Sequence, residues 1–122
     1  MGESMENVVL NKSKNFSLRI INLYKHLCSK SEYVLSKQIL RSGTSIGANL
    51  VEAQYAISKK EFVAKAQISL KETAETLYWL ELLLNGKYID EHQFKSVCKD
   101  CSDILNLLTS ILKSSKRNTI KN

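Results

Sequence analysis

The chain has 122 residues, enough for one domain with a modest core, and no proline with only four glycines, which argues against a sheet protein rich in turns. No apolar run approaches the roughly 20 residues of a membrane-spanning helix. The net charge of +6 comes from 18 lysines and arginines against 12 acids, and Lys113, Lys116, Arg117 and Lys121 supply four of the six, leaving +2 for everything before them. Three cysteines, Cys28, Cys98 and Cys101, follow an opening MGESMENVVL that lacks a basic segment leading into an apolar one. An odd cysteine count without a leader is expected of reduced thiols in a cytoplasm.

A first helix is predicted from Val8 to Cys28, with Phe16, Ile20, Leu23 and Leu27 as its core stripe and Tyr24 on the shoulder. Ser29 to Glu32 is polar and reads as a connection. The second helix is predicted from Tyr33 to Ile57. Its seam is Ile39, Gly43, Ile46, Leu50, Ala53 and Ile57, in heptad spacing, beside a stripe of Gln38, Ser42, Ser45, Asn49 and Glu52. A helical glycine costs roughly 0.8–1 kcal/mol relative to alanine, so Gly43 and Gly47 imply close approach by a neighbouring element. The alternative, a turn at Gly43, breaks a heptad that otherwise runs through without a phase slip. Lys37 and Arg41 fall on the outward side.

Ser58 and Glu61 form a capping box that opens the third helix. Its predicted core seam is Val63, Ala66, Leu70, Thr73, Leu77, Leu80 and Leu84. It is expected to end at Asn85–Gly86, with glycine in the left-handed conformation. Asp90 and Gln93 form a second capping box. The fourth helix then has a seam of Phe94, Cys98, Cys101, Leu105, Leu108 and Leu112, with Val97, Ile104 and Ile111 beside it. Four amphipathic helices with short connections predict one all-α domain over 1–112, an antiparallel up-down-up-down bundle, followed by a basic, flexible tail over 113–122.

The third helix is apolar on a second side, through Ala64, Ile68, Trp79 and Leu82 with Glu75 among them. A helix apolar on two sides is covered on two sides, so Ile68, Glu75, Trp79 and Leu82 are expected at an interface between subunits, with Trp79 as its anchor. The alternative is Trp79 as a core residue at a wide seam. Lys71, Glu72, Glu75 and Glu81 form a charged patch that reads as salt bridges between helices or subunits, with Lys71 and Glu75 spaced as an i, i+4 pair and Asn49 and Glu52 as candidate partners.

No catalytic set converges. Cys98 and Cys101 share a helix face, but on an apolar seam they behave as small hydrophobes, and zinc needs about four ligands. A di-iron bundle needs Glu-x-x-His pairs, whereas Leu23 precedes His26 and Ile89 precedes His92. The glycines lack the lysine and hydroxyl of a phosphate loop. No cofactor, no metal and no enzymatic activity are expected.

The runs LSKQILRSGTSIGANLVEAQ, SKKEF and LKETAETLYWLELL resemble the small four-helix proteins encoded by intervening sequences in bacterial 23S ribosomal RNA genes, from about Asn7 to about Leu112. The resemblance implies an antiparallel four-helix bundle that assembles as a homopentameric ring. It extends to a sister branch, the accessory proteins of diversity-generating retroelements, which bind a reverse transcriptase and nucleic acid. It implies no particular catalysis.

The expected function is therefore non-enzymatic, oligomeric binding of RNA or DNA. Lys37, Arg41, Lys59, Lys60, Lys65, Lys113, Lys116 and Arg117 are the candidate phosphate contacts, repeated around a ring. No aromatic residue is obviously interleaved with these lysines, which argues against base stacking. The alternative is a protein–protein scaffold or adaptor, for example for a reverse transcriptase. No membrane partner is expected.

Overall fold

The computed structural model describes residues 4–121, with side chains as far as Ser115, and shows four helices and, among the described residues, no strand. They are α1 (Met5–Ser29), α2 (Leu35–Gln54), α3 (Lys59–Asn85) and α4 (Glu91–Lys121). Each packs on two neighbours: α1 on α2 and α4, α3 on α2 and α4. One core joins all four, through residues such as Phe16, Ile20, Ile39, Ile46, Leu80, Leu83, Ile104 and Leu108.

The caps explain where the helices begin and end. Ser4 accepts from the N–H of Asn7 at 3.2 Å, so α1 starts a turn earlier than the apolar pattern suggests. The α1 end carries the paired bonds Glu32 N–H to Leu27 O at 2.9 Å and Ser31 N–H to Cys28 O at 3.0 Å, with Ser31 left-handed at φ 63°. The α3 end repeats this through Tyr88 N–H to Leu83 O at 2.9 Å and Lys87 N–H to Leu84 O at 3.0 Å, with Lys87 at φ 66°. The left-handed residue expected at Gly86 is therefore Lys87, because the chain makes one more helical step before it reverses; Gly86 itself has φ −79°.

Glu32 is not a passive loop residue. Its carboxylate accepts from the backbone N–H of Val34 (3.1 Å), Leu35 (3.1 Å) and Ser36 (2.6 Å). It thus closes α1 and caps α2 at once, satisfying donors that the start of α2 leaves open. Burial alone would raise its pKa; the three backbone donors outweigh that and hold the carboxyl below the ordinary value of 4.5.

The helix around Gly43 runs unbroken, but from Leu35 to Gln54 rather than from Tyr33 to Ile57. Ile57 is 93% exposed and leaves the seam assigned to it. Both glycines face α1. An added Cβ at Gly43 would sit 2.8 Å from Ile20 Cγ1 and 2.9 Å from Cγ2; at Gly47 it would sit 3.2 Å from Ser13 Oγ. The other side of α2 meets α3 through hydroxyls. Thr76 bonds Ser42 at 2.9 Å, and Ser69 donates to the carbonyl of Ile46 at 2.9 Å. Along this contact Ser42 meets Thr76, Ile46 meets Ser69 and Glu52 meets Lys65, so numbers rise on one helix as they fall on the other.

This contact rotates α3 from its predicted seam. The buried line is Ala66, Ser69, Thr73, Thr76, Leu80 and Leu83, while Val63, Leu70, Leu77 and Leu84 are half-buried. Hydropathy cannot find such a line, because small hydroxyl residues bury at low cost only when their bonds are made. On α4 the flanking residues Val97, Ile104 and Ile111 are buried with Cys101 and Leu108, while Phe94, Cys98, Leu105 and Leu112 are half-buried. Arg19 fastens α1 to α4 by an ion pair to Asp100 at 2.6 Å and a bond to Ser96 Oγ at 2.8 Å.

Gly43→Ala should destabilise the fold despite a helix-propensity gain of up to about 1 kcal/mol, since crowding a packed core costs about 1–3 kcal/mol. Urea unfolding reads the net loss; a gain in stability would mean that Ile20 yields. Glu32→Gln should lower stability at pH 7 by about 1–2 kcal/mol, as loss of a helix cap does. The folded pKa lies below the unfolded one, so the carboxylate stabilises the fold above the unfolded value and the contribution is lost as pH falls through the folded one. Unfolding measured from pH 7 down to pH 3 should therefore be less pH-dependent in Glu32→Gln than in the wild type.

Candidate nucleic-acid interface

The exposed cations divide into those already engaged and those left free. Arg41, on the outer side of α2, reaches across to α3 and pairs with Glu72 at 3.1 Å and with Glu75. The hydrogen bond with Glu75 is the main cause of its raised pKa, with burial opposing. Glu75 in turn accepts from the indole N–H of Trp79 at 2.9 Å. That bond, opposed by burial and helped by Arg41, holds the Glu75 carboxyl below its ordinary range. Glu75 thus binds α2 rather than pairing with Lys71 on its own helix. Asn49 donates to Ser45 O at 2.9 Å, and Glu52 takes Lys65 at 3.0 Å, so neither serves the Glu72–Glu75 patch.

Lys37, Lys59, Lys60 and Lys113 are exposed and have no ion pair among the described residues. They do not form one patch. Lys37 lies in the first turn of α2, about 25 Å along the helix from its C-terminal end, at 1.5 Å per residue. Lys59 and Lys60 open α3 at the opposite end. Lys113 shares that end, since Ile111 and Leu108 line the same small hollow as Phe62, Ala66 and Ala53. Lys116 and Arg117 have side chains outside the described residues.

Of the acids near Lys59 and Lys60, Glu61 and Glu52 have partners, while Glu6 lines the same hollow as Gln54 and Phe62 and is exposed. Glu61 accepts from the N–H of Ile57 at 3.2 Å, its own N–H is capped by Ser58 at 3.1 Å, and Glu52 is paired with Lys65. The return bond of this capping box therefore reaches Ile57, one residue before the expected Ser58. Between the helices, Tyr55 is 80% exposed and Ile57 93%. Both eluded the sequence reading, which ran the helix through them. The available signal was Ser58 as an N-cap, which requires the preceding helix to stop earlier.

On the second side of α3, Ile68 is 42% exposed, while Glu75, Trp79 and Leu82 are half-buried. Trp79 also packs against the core and meets Tyr78 edge-on, with ring centroids 5.3 Å apart.

Cys101 is buried, its thiol 3.6 Å from the carbonyl of Thr73, and burial above all pushes its pKa up to about 12, which suppresses the nucleophilic thiolate. No group of three or more metal-ligating side chains occurs among the described residues. His26 and His92 line one open cleft with Arg19, but that guanidinium is already held by Asp100 and Ser96. No described helix is long and apolar enough to cross a membrane.

Comparison with known proteins places this arrangement. A crystal structure of a protein with unknown function, from the S23 ribosomal protein family of Bacteroides thetaiotaomicron VPI-5482, is similar over 90% of this chain and 99% of that one, with 52% identity and a TM-score of 0.89. No curated protein matches. Residues 5–110 match the family of the 23S rRNA-intervening sequence protein. The chain belongs to the 23S rRNA-intervening sequence protein family.

Proposed function

We propose that this chain is a non-enzymatic, oligomeric nucleic-acid-binding protein of the cytoplasm. In this reading the four helices form an antiparallel up-down-up-down bundle, supported by the opposed numbering along the α2–α3 contact. Copies of the bundle form a closed ring, a pentamer by family resemblance, and each copy contributes a small cationic surface. The carrying observation is the sorting of charges at the α2–α3 connection: Lys59 and Lys60 are unpaired among the described residues, while Glu52 is paired with Lys65 and Glu61 is held by the backbone N–H of Ile57. Lys113 adds to the same end, and Lys116 and Arg117 follow it in sequence. Arg41 and Lys65, held by carboxylates, contribute less. The ribosomal family name carried by the Bacteroides neighbour is consistent with an RNA partner.

A few lysines per subunit bind phosphate weakly, and ring symmetry raises the avidity without new contacts. A second reading, a protein adaptor, is favoured by the groove between α1 and α2, where Leu18 is 55% and Val51 48% exposed beside Gly47. Salt separates the two, since phosphate contacts weaken steeply with ionic strength.

Binding of a labelled oligonucleotide, titrated from 50 to 200 mM salt, should fall steeply with salt. Replacing Lys59 and Lys60 together by alanine should flatten the log–log slope by at least about 1.4, at ~0.7 per single-strand phosphate. An unchanged slope removes these lysines from the interface. Light scattering should give a closed oligomer for the wild type and smaller species for Trp79→Ala and for Ile68→Glu. The second variant leaves the buried core untouched, so a folded monomer there supports the α3 interface. A monomeric wild type would eliminate the ring.

A further inference from the structure

The connection between α2 and α3 carries more than charge. Tyr55 ends α2 through N–H bonds of the tight-turn kind, to Glu52 O at 3.0 Å and, from Ala56, to Ala53 O at 3.1 Å. This fixes the backbone while the residue as a whole stays 80% exposed. Most surface tyrosines lay the ring along a neighbour and leave only the hydroxyl wet. Here the side chain stands free on a hydrogen-bonded turn, and Ile57, two residues on, is 93% exposed. Tyr55 and Lys59 are four residues apart, so their Cα atoms lie no more than about 14 Å from each other.

We propose that the α2–α3 connection is a binding site for an unpaired nucleotide of single-stranded nucleic acid, in which a base stacks on Tyr55 and the adjoining phosphates contact Lys59 and Lys60. The proposal rests on the nucleic-acid reading above and narrows it to single strands. An aromatic face and paired cations within one short segment match the two recognition elements of a single strand, whose bases are free to leave the stack. A duplex offers its phosphates but keeps its base faces covered, so it gains nothing from the ring. Of the carboxylates near this turn, Glu52 is paired with Lys65, and Glu61 is held by the N–H of Ile57. Ile57 supplies an apolar edge against which the ring or a ribose can rest. Stacking tolerates any base, so the site reads strandedness rather than sequence.

The test uses the full-length protein, a fluorescein-labelled 20-nucleotide oligouridylate and an RNA duplex of equal length, followed by anisotropy. The single strand should bind more tightly. Tyr55→Ala should weaken it about tenfold with the salt slope unchanged, as removal of one stacking platform does. Tyr55→Phe, which keeps the ring face, should restore binding. The lysine variants should instead reduce the slope. If Tyr55→Ala and wild type bind the single strand equally, or if the duplex binds as well, the stacking site is overturned while the nucleic-acid reading survives. If wild type binds neither probe at 50 mM salt, both fall. A change of assembly state in Tyr55→Ala, read by light scattering, would assign the residue to a contact between copies and also overturn the proposal.

Discussion

The structure depends on how closely α2 can be approached from both sides. On one side Gly43 and Gly47 remove the side chains that would hold α1 away, and Ile20 and Ser13 occupy the space. On the other, Ser42, Ser69 and Thr76 are small enough for contact and each finds a hydrogen-bond partner there. Dispersion falls off steeply with distance, so a helix flanked by small residues gains contact on both flanks at once. The glycine penalty in helix propensity is offset by that gain. Satisfied hydroxyls bury at little cost, and unsatisfied ones would not, which couples the register of α3 to that of α2.

That register decides the electrostatics. With Ser42 opposite Thr76, Arg41 comes to Glu72 and Glu75 and Lys65 comes to Glu52. These two cations are thereby balanced by acids of the neighbouring helix. Pairs as exposed as these contribute little to stability, of order 0–1 kcal/mol. Their larger effect is on what remains available: Arg41 and Lys65 are engaged, whereas Lys59 and Lys60 at the start of α3 have no ion pair among the described residues. The proposed binding surface is in this sense drawn from the cations that the helix register leaves unmatched.

The corners add the second constraint. Ser31 and Lys87 accept left-handed conformations, although they are not glycine, because each closes a pair of bonds to the last carbonyls of its helix. Glu32 then serves the next helix with the same residue that finishes the last. The α2–α3 corner is built differently. It has no left-handed residue, and Tyr55 and Ile57 stay outside the core. Two large side chains in water at a corner gain nothing for folding; the α1–α2 corner does the same with Tyr33 at 55% and Val34 at 71% exposure, but only at the α2–α3 corner does the exposed tyrosine precede two adjacent lysines without an ion pair among the described residues.

Much was legible in the sequence. Heptad spacing fixed the number of helices and the continuity of α2 through Gly43, since a broken helix would have slipped phase. Ser58 and Asp90 announced their caps, the latter through paired bonds between Asp90 and Gln93 at 2.7 and 2.9 Å. The runs around α2 and α3 carried the family. Less of the candidate site was readable: Lys59 and Lys60 were identified, but as equals of Arg41 and Lys65, and Tyr55 was hidden inside a helix drawn too long. The reason is physical. Periodicity records which residues are apolar, and so it determines helices and faces. Which polar groups meet is set by the register between helices, through contacts such as Thr76 with Ser42 that hydropathy does not encode. The seam of α3, the capping role of Glu32 and the division of lysines into paired and free were therefore decided only by the tertiary structure.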